Sequence, residues 1–228
     1  MRETHYATQQ ELNEQFAARI AHILQNSIAR QGRASLLVSG GRTPVGLFEI
    51  LSQADVDWSN VDVSLADERW VSADDEASNE KLVRTHLLKN NAAAAHFVSL
   101  TTTAADANDA ITEVTERVNA MARPFDVLIL GMGEDGHTAS LFPCSEQIKA
   151  GLDMHSGQTL IAVQPTTAPH QRISLTLPAL LNSRNIFLHL TGDKKKAVLD
   201  QALSADDSLE MPIRAVLQNA DVELIWAA

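Results

Sequence analysis

The chain has 228 residues, 45% of them hydrophobic and 4% aromatic, enough apolar material for a sizeable core built mostly of Leu, Ile, Val and Ala. Eighteen Lys and Arg against 29 Asp and Glu leave a net charge of −11, which argues against a broad nucleic-acid surface while leaving room for a local basic pocket for a small anion. The single Cys144 excludes an intramolecular disulfide, no apolar run is long enough to cross a bilayer, and the N-terminal residues carry no apolar signal region, so a cytoplasmic protein without a membrane partner is expected.

Helix comes first. Leu12, Phe16, Ile20, Ile23 and Ser27 recur at spacings of three and four, Leu24 and Ile28 widen the stripe, and Gly32 is the expected stop. A strand over Ala34–Val38 leads into Ser39-Gly40-Gly41-Arg42-Thr43-Pro44. Thr43 is expected to cap the next helix, with Pro44 at its first position. Gly40 and Gly41 let backbone N–H groups approach a ligand, and the helix N-terminus favours a phosphate or carboxylate. An ordinary strand-to-helix turn fits the same residues.

A second strand, Val61–Leu65, ends in Ala66-Asp67-Glu68-Arg69-Trp70. Arg69 suits bidentate phosphate binding, steadied by Asp67 or Glu68, or else a surface salt bridge. Ser78 is expected to cap a helix through Leu82, Val83, Leu87 and Leu88, with Asn79 near its start and Arg84 near its middle. His96–Leu100 reads as a short strand, and Ala105–Met121 as a helix ended by Pro124.

Val127–Leu130 is an apolar run suited to a strand buried on both faces, as a parallel sheet requires. It opens into Gly131-Met132-Gly133-Glu134-Asp135-Gly136-His137. In open α/β sheets ligands bind beyond the carboxyl ends of strands, and an imidazole there can take a proton near neutral pH. A glycine-rich turn with solvated charges is the plainer reading of the string. Beyond Pro143, a short helix over Glu146–Leu152 and a strand over Leu160–Val163 are expected. Arg172–Leu177 alternates like a half-exposed strand, and Pro178 opens a short helix. A strand over Asn185–Leu190 runs into Thr191-Gly192-Asp193-Lys194-Lys195-Lys196. Asp193 is expected to cap the helix Ala197–Leu203. Three lysines in a first turn oppose the helix dipole, a placement that an anionic ligand would offset and that solvation also tolerates. Pro212 starts a helix and Val222–Trp226 closes the chain as a strand. Strands alternate with helices throughout, without repeat or linker, so residues 1–228 are expected to form one α/β domain around a mostly parallel sheet.

Six strings, in order, resemble the 6-phosphogluconolactonase family: Ser39–Pro44, Asp67–Val71, Ser78–Leu88, Gly131–Pro143, Arg172–Pro178 and Gly192–Leu199. The DGHTASLFP segment is the most specific. The resemblance implies a Rossmann-like sheet of the glucosamine-6-phosphate deaminase and ribose-5-phosphate isomerase type. It also implies hydrolysis of 6-phospho-D-glucono-1,5-lactone in the oxidative pentose phosphate pathway, with no metal or redox cofactor. His137 matches the general base. Arg69 and a lysine of the GDKKKA segment match the phosphate-binding positions. Family spacing selects Lys195, with Lys194 and Lys196 still open, and Arg172 matches a further active-site arginine. Asp135 is placed to set the tautomer of His137, and Gly40 and Gly41 to face an oxyanion. Thr43 can bond a sugar hydroxyl or phosphate. Asp67, Asn79, Arg84 and Gly136 complete the expected substrate-binding set. Arg42 stands where the family usually has a small residue, and Cys144 where glycine often follows the proline. A deaminase-like isomerase shares much of this pattern, but the residues Thr138–Pro143 follow the lactonase. A non-catalytic sugar-phosphate sensor is the other alternative.

Overall fold

The computed structural model describes residues 1–228. In chain order the elements are β1 (Arg2–Tyr6), α1 (Gln9–Gln31), β2 (Ala34–Val38), α2 (Val45–Leu51), β3 (Val61–Leu65), β4 (Asp67–Arg69), α3 (Asn79–His86), β5 (His96–Phe97), α4 (Ala107–Asn119), β6 (Val127–Leu130), α5 (Ile148–Leu152), β7 (Leu160–Val163), β8 (Arg172–Leu175), α6 (Leu177–Leu181), β9 (Ile186–Thr191), α7 (Asp193–Leu203), α8 (Ile213–Asn219) and β10 (Val222–Ala227). Seven strands form a parallel sheet in the order β1-β10-β9-β6-β2-β3-β5, and β4-β8-β7 form a small antiparallel sheet. No helix is long and apolar enough to cross a membrane.

The central strands are buried along their length, which is why they read as unbroken apolar runs. α1 covers one face with Leu12, Phe16, Ala17, Ile20, Ala21 and Leu24. Thr8 caps its start by accepting the Glu11 N–H, and Gly32 ends it in the left-handed region at φ 77°, its N–H donating to the Ile28 carbonyl. The chain leaves β2 toward β3 and β5, then returns to β6 on the other side of β2 before passing to β9. The loops after β2 and β6 therefore diverge from neighbouring strands, opening a crevice at the carboxyl edge.

Several local expectations are corrected. β1 was not anticipated; it is a short edge strand whose five residues include four charged or ionisable ones, without apolar alternation. β4 is a strand of three residues, too short to carry a period. Arg172–Leu175 is buried throughout rather than half-exposed, because the small sheet is covered on both sides and Ser174 is itself enclosed. Pro44, with helical dihedrals, takes the cap position before α2, so Thr43 lies one residue outside it and makes no cap bond. Asp193 is inside α7, whose cap is Gly192 at φ 83°.

Candidate active site

The loop after β2 is shaped by two glycines for different reasons. Gly41 has φ 98°, a conformation that side chains resist. A Cβ on Gly40 would lie 1.8 Å from Asn79 Oδ1, so only glycine lets the loop approach α3. The N–H groups of Gly40, Gly41, Arg42 and Thr43 make no hydrogen bond within the protein.

Asn79 is held there by a buried carboxylate. Glu68, fully enclosed, accepts the N–H groups of Arg69 at 2.7 Å, Asn79 at 2.8 Å and Glu80 at 2.7 Å, and the Ser78 hydroxyl at 3.0 Å. Burial pushes its carboxyl above the ordinary range, against those four donors. The Asn79 amide then donates to the Asp67 carbonyl at 3.0 Å. Asp67 is buried too, its carboxylate accepting the Ser140 hydroxyl at 2.5 Å.

Arg69 and Arg172 sit opposite each other across β4 and β8. Neither is ion-paired with a carboxylate. Arg69 donates to the Ala77 carbonyl at 2.5 Å and Arg172 to the Pro169 carbonyl at 3.0 Å. Burial and the adjacent Arg69 charge lower the Arg172 pKa, with Asp67 and Glu68 opposing. Two juxtaposed guanidiniums suit an anion with several oxygens.

In the loop after β6, the Gly133 N–H donates to the His137 carbonyl at 2.8 Å, and Gly136 turns the chain at φ 75°. Asp135 Oδ1 lies 2.5 Å from His137 Nδ1 and also accepts the His137 N–H. Burial raises the Asp135 carboxyl, but its hydrogen bonds with the ring and backbone N–H of His137 outweigh this and hold it below the usual range. A carboxylate on Nδ1 leaves Nε2 as the free ring position. The imidazole stacks on Phe142 at 4.1 Å, and the Arg172 guanidinium lies 5.6 Å from the Phe142 ring.

The three lysines separate. Lys194 pairs with Glu134 and Lys196 with Asp200, while Lys195 donates to the Met132 carbonyl at 2.7 Å and lines the cavity. Burial lowers the Lys195 pKa, with Glu134 and Asp135 opposing.

These groups converge on a cavity of about 360 Å³ at the carboxyl edge of the sheet. Gly40, Gly41, Thr43, Asp67, Arg69, Asn79, His137, Arg172 and Lys195 all line it. Two expected members stand outside. Arg84 bonds Glu80 at 2.8 Å and lies over Phe97, on the far side of α3. Gly136 is buried against Met211 and does not line the cavity; it shapes the turn, and its carbonyl accepts the Ile213 N–H at 2.9 Å. Asp135 is outside the lining but reaches it through His137. Arg42 lines the cavity from its exposed rim. Phe142 and His189 were missed as lining residues: Phe142 stood in the DGHTASLFP string with no role given to its ring, His189 reads as part of an apolar strand run, and only the fold turns each inward. No group of three or more His, Cys, Asp and Glu is arranged to hold a metal ion.

The sequence pattern of glucosamine-6-phosphate isomerases and 6-phosphogluconolactonases matches residues 7–226. The chain belongs to that family. Within it, a 6-phosphogluconolactonase of Pseudomonas aeruginosa is 41% identical over 210 residues, covering 92% of this chain and 88% of its own. One from Neisseria meningitidis is 41% identical over 224 residues, covering 95% and 94%. The crystal structure of a 6-phosphogluconolactonase from Shewanella baltica superposes with a TM-score of 0.97 at 47% identity, covering 100% of this chain and 98% of that one. A monomeric glucosamine-6-phosphate deaminase shares the fold, with a TM-score of 0.79 at 20% identity. The Rossmann-like, mostly parallel sheet is thus the family's.

Proposed function

We propose that the chain hydrolyses 6-phospho-D-glucono-1,5-lactone to 6-phosphogluconate, with His137 as general base. The observation that carries this is His137 itself: its Nδ1 faces Asp135 at 2.5 Å inside a cavity that also presents Arg69, Arg172 and Lys195. The relatives at about 40% identity, named 6-phosphogluconolactonases, supply the substrate class.

A lactone is an ester, so attack by water needs a base and a place for charge to go. Nε2 of His137 takes a proton from the attacking water as its oxygen bonds to C1. Asp135 keeps the proton on Nδ1 and steadies the imidazolium that forms. The unpaired N–H groups of Gly40 and Gly41 face the developing oxyanion. When the intermediate collapses, the C1–ring oxygen bond breaks and the proton passes to that oxygen, giving the open-chain acid. Arg69, Arg172 and Lys195 hold the phosphate, so that C1 lies over the base. Ser140 is committed to Asp67 and is not needed as a nucleophile.

The test is hydrolysis of freshly generated 6-phosphogluconolactone against a no-protein control, because this lactone also opens unaided. His137→Ala should lower kcat by roughly 10²–10⁴-fold with little change in KM. Arg69→Ala and Lys195→Ala should mainly raise KM. Equal acceleration by wild type and His137→Ala would move the base elsewhere; no acceleration by the folded wild type would refute the activity.

A further inference from the structure

His189 has no part in the chemistry above. It is the fourth residue of β9, on the face that meets α1, where Phe16 contacts Phe187 at 5.0 Å and His189 at 5.6 Å. Leu188 pairs with Leu130, so His189 stands level with Gly131 at the carboxyl end of β6. It is 3% exposed, yet it lines the cavity, and neither ring nitrogen has a hydrogen-bond partner in the protein.

Such a residue is anomalous as core. Leucine would pack against Phe16 as well and leave no polar atom unpaired. Gly131, beside it, has nothing within 4 Å of where a Cβ would stand, so there is open space over the strand at this point. Of the six buried side-chain nitrogens and oxygens without a partner, four belong to cavity residues: both ring nitrogens of His189, Ser39 Oγ and Arg69 Nε. The cavity thus concentrates unspent hydrogen-bonding capacity. Burial holds the imidazole neutral at neutral pH. A neutral imidazole offers one N–H and one lone pair, which a hydroxyl, itself donor and acceptor, can match; a phosphoryl dianion offers acceptors alone.

We propose that His189 is a substrate-binding residue that hydrogen-bonds a sugar hydroxyl at the floor of the cavity, while the cationic side chains take the phosphate. This rests on the sugar-phosphate reading of the site. It makes His189 a determinant of which polyol is accepted, since a hydroxyl missing or misplaced at this point would leave a buried ring nitrogen unpaired.

The test is calorimetric titration of wild type, His189→Leu and His189→Gln with 6-phosphogluconate and, separately, with inorganic phosphate. His189→Leu should weaken 6-phosphogluconate roughly 5- to 10-fold, the loss of one hydrogen bond, and leave inorganic phosphate unchanged. His189→Gln, which keeps a donor and an acceptor, should recover most of that loss. The leucine variant should melt at or above the wild-type temperature. In wild type, the imidazole ¹⁵N resonances of His189 should move on adding 6-phosphogluconate and stay fixed on adding phosphate, a readout independent of any variant's folding. Equal weakening of both probes would place the ring against phosphate and overturn the hydroxyl assignment. Unchanged affinity with unmoved resonances would make His189 a core residue. A wild type that binds no 6-phosphogluconate would instead refute the functional reading on which the proposal stands.

Discussion

Two histidines of one cavity are held in opposite ways, and the difference governs what each does with a proton. His137 is tied through Nδ1 to Asp135, whereas His189 is enclosed with no partner. Burial pushes the His189 pKa down to about 4, against about 6.5 in an unfolded chain. Between those values the unfolded state binds the extra proton. Stability is therefore undiminished above about pH 6.5 and falls as pH drops toward 4, by of order 3 kcal/mol in total. His189→Leu should remove that slope. Urea denaturation at pH 7.5 and pH 4.5 checks this, and an unchanged pH dependence in the variant would show that the ring is not desolvated as described. The sequence made His137 conspicuous, because Asp, Gly and His crowd the end of an apolar strand. It left His189 unremarked, because one histidine in Ile186–Leu190 carries no periodic signature; burial depends on the strands that flank it.

Among the elements, the junction of β4 with α3 does most to shape the cavity. Glu68 gathers three backbone N–H groups and the Ser78 hydroxyl, and so fixes Asn79 against Gly40. Its charge also complements the positive end of α3. Glu68→Ala would leave four donors without their acceptor in a dry setting, so a loss of roughly 3 kcal/mol or more is expected, together with a raised KM as the loop after β2 loosens. Thermal melting and steady-state kinetics on the same preparation separate the two effects; a variant with unchanged Tm would contradict the assigned role. Here the sequence was legible only in part. The Ser78 cap and the charges after β3 stood out, but the hub itself did not: a glutamate within Asp67-Glu68-Arg69 looks solvated until the second sheet covers it. The same limit explains Arg84, which shares a helix with Asn79 yet faces away, since a string match records neighbours along the chain and not the side of the helix each occupies.

On the scale of the whole molecule, the parallel sheet was readable from buried apolar runs separated by helices, and the strand order was not, because pairing depends on contacts between distant segments. The N-terminal edge illustrates the cost. β1 lies beside β10, joined by its ladder, by the Thr4 hydroxyl donating to Glu223 at 2.8 Å and by Arg2 beside Asp221 at 3.2 Å. Glu223 is also paired with Arg19 of α1. Removing residues 1–6 should lower Tm and expose the edge of β10 to pairing with other chains, seen as concentration-dependent light scattering. A truncated protein that melts like the full chain and stays monodisperse would show that β1 is dispensable.

The dispersal of the cavity along the chain has a temporal side as well. The proposed base, His137, and the cavity lysine, Lys195, are 58 positions apart, with β9 in between. At synthesis rates of about 5–20 residues per second, roughly 3–12 s pass on the ribosome between the emergence of the one and of the other. During that interval β6, apolar along its whole length, has its β2 neighbour but not its β9 neighbour, so the strand that will become the centre of the sheet is for those seconds its sticky margin.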